Sequence, residues 1–269
     1  PWELSKKTIA MSKNLTSLNS GALKCGASQF KANIPSIQGV TLSPATPNPV
    51  NFVFEIGKAD ADNFVTALSA ASVPHYIEEY TKGNDIMFRI YAAIPETPGA
   101  FAEAELLILT PANIYCYKSG VLPISWLVEM LQNNSRGSNM IFVNSVETAE
   151  DGQLFNSQED VNVLFMKDAV LMNSALNLPY SSTLVFNGAV TLYGGAVAMN
   201  SYQAESPEDS NTTVVIAPQP DVANIKDGAI DGDIMNLYYN GEWNTTTRAW
   251  FSGSIYHLNG EALDPIPSE

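Results

Sequence analysis

From Ser182 onward the chain offers only short β-forming runs, at 183–193, 213–216, 234–239 and 247–256, parted by loops of Gly, Pro, Asn and Asp. Runs this short and unevenly spaced leave no room for the strand-helix units of a parallel α/β sheet. Further upstream the same texture carries a few helical insertions. In the run 50–56 (VNFVFEI), Phe52, Phe54 and Ile56 recur at period two, which predicts a strand with one apolar face.

A helix is expected next, with Asp60 or Asp62 as N-cap, Phe64, Val65, Leu68 and Ala71 at helical spacing, and Pro74 as its stop. The runs 76–81 and 86–94 flank Lys82, Gly83, Asn84 and Asp85 and read as a hairpin. Shorter strands are expected at 106–109, 114–117 and 140–146, with a helix at 124–131 that carries Trp126, Leu127, Met130 and Leu131 on one side. After Ser157 and Asp160, residues Val161, Leu164, Phe165, Ala169, Met172 and Leu176 fit one helical face, although 161–166 alone would also pass as a strand; the helix is the expectation. No internal repeat of solenoid or propeller type stands out.

The predicted fold is therefore mainly β: an antiparallel β-sandwich or jelly-roll-like body at 50–269, divisible near 150–180, with two or three short inserted helices. An extended N-terminal arm at 1–49 precedes it and ends in the cluster Pro44, Pro47 and Pro49, which neither a central strand nor a helix would accept.

Charge divides the chain in the same place. The net charge is −15, yet residues 1–54 hold Lys6, Lys7, Lys13, Lys24 and Lys31 against the single acid Glu3, a net +4, which leaves −19 for the rest. An acidic body argues against nucleic acid or an anionic membrane as the main partner, while a basic arm suits contact with packaged nucleic acid or with a neighbouring subunit. Only 15% of residues are charged, a surface composition suited to close packing against other copies. No stretch approaches 18 consecutive apolar residues, so no membrane insertion is expected.

Motifs for chemistry are sparse. The two histidines, His75 and His257, come without a G-x-S-x-G elbow and read as structural residues, as does Cys116 between Tyr115 and Tyr117. Cys25 and Cys116 form no metal-ligand spacing and no disulfide scaffold. The loop KDGAIDGD could turn Asp227, Asp231 and Asp233 toward calcium, but lacks EF-hand spacing; no cofactor is expected otherwise. The adjacent acids Glu78 and Glu79 would point to opposite strand faces and could not flank one glycosidic bond. Tyr238, Tyr239, Trp243, Trp250 and Tyr256 crowd the C-terminal runs; of these Tyr239, Trp243 and Trp250 are the candidates for stacking on a glycan.

These observations point away from an enzyme and toward a structural protein of a virion, a capsid, shell or tail subunit that self-assembles through the lysine-bearing arm and its sheet edges. Its partners would be other copies or sister subunits, with arm contacts to packaged nucleic acid. Pro1 and Glu269 fit protease-made ends, the alternative being Met11 as the natural start. The competing reading is a secreted or surface-displayed adhesin or carbohydrate-binding module.

Overall fold

The computed structural model describes residues 17–19, 22–24, 34–42, 48–96, 113–122, 138–149, 155–156, 161–178, 182–199, 213–231, 236–241, 251 and 254–258. Strands β1 (Ser17–Asn19) and β2 (Ala22–Lys24) form a small antiparallel hairpin. The body begins at β3 (Phe52–Gly57), whose alternate residues Phe52, Phe54 and Ile56 are fully buried on one face, as their period predicts. Helix α1 (Lys58–Ala70) follows directly. Its N-cap is Gly57, without a side-chain cap; Asp60 and Asp62, the two candidate caps, both lie inside the helix, Asp60 in the first turn, where the helix dipole favours a carboxylate. Ala61, Phe64 and Leu68 form its buried stripe, with Phe64 packed on Phe54 at 4.6 Å between ring centroids. The turn after α1 puts Ser72 at φ +56°, and Val73 donates back to the Leu68 carbonyl before Pro74.

Strands β4 (His75–Lys82) and β5 (Asp85–Ala92) then make the expected hairpin, with Gly83 at φ +63° in the first central position of its two-residue turn, where mirror-image turns need a positive φ. Strand β5 also pairs antiparallel with β3, and β3 with β6 (Asn113–Cys116). Apart from the β1–β2 hairpin, the antiparallel structure ends there.

Beyond the β3–β6 pair every pairing among the described residues is parallel, and the chain winds as a three-sided β-solenoid. Strand β6 is followed by β7 (Gly120–Leu122). Three complete turns come next: β8 (Ser138–Phe142), β9 (Val146–Thr148) and β10 (Phe155–Asn156); β11 (Val161–Phe165), β12 (Ala169–Leu171) and β13 (Leu176–Leu178); β14 (Thr183–Phe186), β15 (Val190–Leu192) and β16 (Val197–Met199). Strands β17 (Thr213–Ile216), β18 (Ile230–Asp231), β19 (Asn236–Tyr239) and β20 (Ser254–His257) extend the stack. The first strand of each turn joins a ten-stranded sheet, β20-β19-β17-β14-β11-β8-β6-β3-β5-β4, and the other two form four-stranded sheets, β15-β12-β9-β7 and β10-β13-β16-β18.

The antiparallel sandwich and the 161–176 helix are thus overturned. So is the absence of a repeat. Aligned by register, NIYCYKSGVL, NMIFVNSVET, NVLFMKDAVL and TLVFNGAVTL, starting at 113, 139, 162 and 183, are one unit: a polar residue, an outward and inward alternation, a three-residue corner, and a second strand. The apolar residues of 161–176 satisfy a helical period only because strand, corner and strand happen to space them so. Lys167-Asp168 and Asn173-Ser174 are corners, the second with Ser174 at φ +61°. Each corner hydrogen-bonds to the one above, as when Val146 donates to Asp168 and Ala169 to Ala189.

Inside the solenoid, register stacks like on like. Phe142, Phe165 and Phe186 form a ladder at centroid spacings of 4.6 and 5.2 Å with near-parallel rings, and Leu171 and Leu192 stack on the next wall. The outward face of the long sheet is also buried. Tyr115, Ile141, Leu164, Val185, Val215, Tyr238 and Tyr256 line it as a second core, against which Ile34, Ile37, Val40 and Leu42 of the N-terminal segment pack. Tyr117 ties that segment down by donating to the Pro35 carbonyl at 2.7 Å.

Candidate functional site

Where the antiparallel cap meets the solenoid, the outward face of the long sheet turns polar. Register sets Glu55 of β3 between Arg89 of β5 and Asn113 of β6, with Asn139 and Asn162 continuing the row along β8 and β11. Glu55 is only 4% exposed. Its Oε2 accepts from the Tyr80 hydroxyl at 2.6 Å and from Arg89 Nε at 3.1 Å; its Oε1 accepts from the Tyr115 hydroxyl at 2.5 Å and from Asn113 Nδ2 at 3.4 Å. A carboxylate offers about four lone-pair sites, so this one is saturated. From Asn113 an amide ladder runs outward: Asn139 donates to Asn113 at 2.8 Å and Asn162 to Asn139 at 2.9 Å.

Burial, reinforced by the Glu55 carboxylate, raises the pKa of Tyr80 and Tyr115 far above that of a free phenol, so both stay neutral donors. The Arg89 guanidinium lies 3.9 Å from the Tyr80 ring centroid as a cation–π contact. Chemically this is a closed joint: every partner of Glu55 is committed to it, and it ties β3, β4, β5 and β6 together.

One strand further out the face opens. Glu78 of β4, on the same side as Arg89, accepts from the Tyr91 hydroxyl at 2.7 Å and stands 4.0 Å from Arg89 Nη1. Glu79 faces the other side, as strand alternation requires. Glu78, Tyr91 and Tyr76 form one wall of a pocket of about 300 Å³, and Ser36, Gln38 and Val40 supply the facing wall. A larger open groove of about 850 Å³ runs past the strand ends between Asn48, Asn51, Ser72, Ile94 and Tyr117. Asn51 clips it by exchanging two hydrogen bonds with the Ile94 backbone, and Lys118 pairs with Glu96 at its rim.

No family model matches this chain, and neither does any curated protein or solved structure.

Among the described residues, those singled out in the sequence are not brought together. Lys6, Lys7, Lys13 and Lys31 lie outside the described residues, and Lys24 sits in β2, where only the backbone is described. Tyr239 points into the solenoid core, while Tyr238 and Tyr256 stack at 5.1 Å on the covered outer face; Trp243 and Trp250 lie outside the described residues. Asp227 and Asp231 are exposed, Asp233 lies outside the described residues, and no group of three metal-ligating side chains occurs among those described. His75 engages the Val73 carbonyl through Nδ1 at 2.7 Å, and Cys116 is a buried free thiol whose pKa burial pushes up to about 12. Glu55 was legible only as a lone charge in an otherwise apolar strand, and Glu78 only as one of two adjacent acids on opposite strand faces.

Proposed function

We propose that this chain is a non-enzymatic structural subunit that self-associates through its sheet edges, in the setting of a virion shell or tail. The observation that carries the reading is the edge of β4. Among the described residues β4 pairs only with β5, and it presents Tyr76 and Ile77 to solvent with relative exposures of 44% and 38%. Ile86 is exposed on the same hairpin, and Val121 on β7, which is likewise the edge of its sheet. At the far end β20 pairs only with β19 among the described residues. Unpaired edges with exposed apolar residues such as Tyr76 and Ile77 invite strand addition from another chain, and a solenoid, being close to one-dimensional, extends readily at its ends. The contrast between a basic N-terminal segment and an acidic body adds a route for one copy to hold the next.

The test is solution mass by light scattering, with negative-stain microscopy, on the whole chain, on Ile77→Lys, and on a chain lacking residues 1–33. Truncation must spare residues 34–42, since they cover the outer core. Rings, shells or tubes from the whole chain that dissolve in Ile77→Lys support the reading. A strict monomer at every concentration and salt overturns it.

The groove of about 850 Å³ favours a second reading, a surface-displayed glycan-binding module, because its size and mixed lining around Asn51, Ser72 and Tyr117 suit a saccharide. A glycan array separates the two.

A further inference from the structure

Three observations converge on the smaller pocket. The first is charge: among the described residues, Arg89 is the cation within ion-pair reach of Glu55 and Glu78, and it sits closer to Glu55, at 3.1 Å, than to Glu78, at 4.0 Å. The surplus negative charge therefore resides on Glu78, whose side chain is 42% exposed at the pocket. Lys82 lies on the same face of β4, but about 13 Å along the strand and opposite Asp85 in the hairpin, too far for direct contact.

The second is aromatic: Tyr76 and Tyr91 line the pocket beside Glu78, with ring centroids 6.0 Å apart and planes tilted by 48°, and the Tyr76 ring is half-exposed. A ring face beside a carboxylate attracts a cation through both its quadrupole and the charge. The third is room: about 300 Å³ accommodates an ammonium head with a short alkyl stem, and Ser36, Gln38 and Thr41 add to its lining polar groups able to accept N–H bonds.

We propose that this pocket binds an alkylammonium group. The source is either a lysine side chain from the basic N-terminal segment of another copy or a free amine. The first source rests on the assembly reading; the chemistry of the pocket does not.

The test uses the full chain and saturation-transfer NMR with n-butylammonium, against n-butanol as its neutral counterpart. Binding of the cation alone is expected, weakened at least about fivefold by Glu78→Gln and about twofold or more by Tyr76→Ala, and unchanged by Tyr193→Ala at another exposed tyrosine. Glu78→Gln keeps an acceptor for Tyr91, so loss of binding reports charge and not misfolding. Displacement of n-butylammonium by a peptide of residues 1–33 assigns the ligand to the chain's own lysines; binding without displacement assigns a free amine. Equal signals from butylammonium and butanol, or full binding by Glu78→Gln, would overturn the proposal whatever the solution mass turns out to be.

Discussion

Replacing Gly188 with alanine should destabilise this protein, where a simple turn would predict the opposite. Gly188 has no positive φ, so in an isolated hairpin turn Gly→Ala would stabilise by about 0.4–1 kcal/mol through the unfolded chain. In the solenoid, the corner at Gly188 stacks on the corner of the preceding turn. An added Cβ would lie 2.4 Å from the Lys167 carbonyl carbon, 2.6 Å from its oxygen and 2.7 Å from Asp168 N. All three are backbone atoms, held by the ladder in which Ala169 donates to the Ala189 carbonyl and by Asp168 accepting from Ala189 N at 3.1 Å, so relief would require spreading two turns. Overpacking of this kind costs about 1–3 kcal/mol, and three backbone contacts under 3.0 Å place it near the upper end. For a domain of this size about 3 kcal/mol lowers Tm by roughly 6–12 °C. Thermal unfolding followed by circular dichroism measures it, with urea unfolding as a check on ΔG. An unchanged or raised Tm would refute the stacked-corner geometry, and with it the parallel winding at this position.

Other expectations concern the joint and the buried groups. Glu55→Ala leaves Arg89 and two phenols without their acceptor and should cost about 3–5 kcal/mol in urea unfolding, with Glu55→Gln milder because it keeps one acceptor. Tyr115 has a folded pKa raised above the unfolded value of 10.0, by burial first and then by the Glu55 charge, so its contribution is complete below pH 10. It is lost at about 1.4 kcal/mol per pH unit above that; phenolate absorbance from Tyr115 should appear only with unfolding, and a phenolate titrating near pH 10 in the folded chain would contradict this. Cys116, buried and with its pKa pushed up to about 12, should react with a thiol reagent at pH 8 only at the rate of unfolding. Phe165→Ala, in the middle of the aromatic ladder, should cost about 3–5 kcal/mol, more than the same change in an unstacked core phenylalanine of equal burial.

Much of the local structure was legible. The face of β3, the β4–β5 hairpin with Gly83, and the stop of α1 before Pro74 follow from period, turn chemistry and proline, all read over a few residues. The candidate site was not. Glu55, Tyr80, Arg89 and Tyr115 come from four strands, and no local pattern announces that their side chains share a face.

The repeat was hidden for a related reason: its units begin at 113, 139, 162 and 183, so that loops of unequal length blur a constant ten-residue core. What the sequence by itself determined is therefore several of the strands outside 161–178, the buried face of β3 and the split between a basic start and an acidic remainder, because these depend on neighbours within the chain. Whether those strands pair parallel or antiparallel was decided only by the tertiary structure. An alternating strand buries the same residues in a sandwich or a solenoid, and the choice rests on which turn stacks beneath which: Phe165 between Phe142 and Phe186, and Gly188 over Lys167.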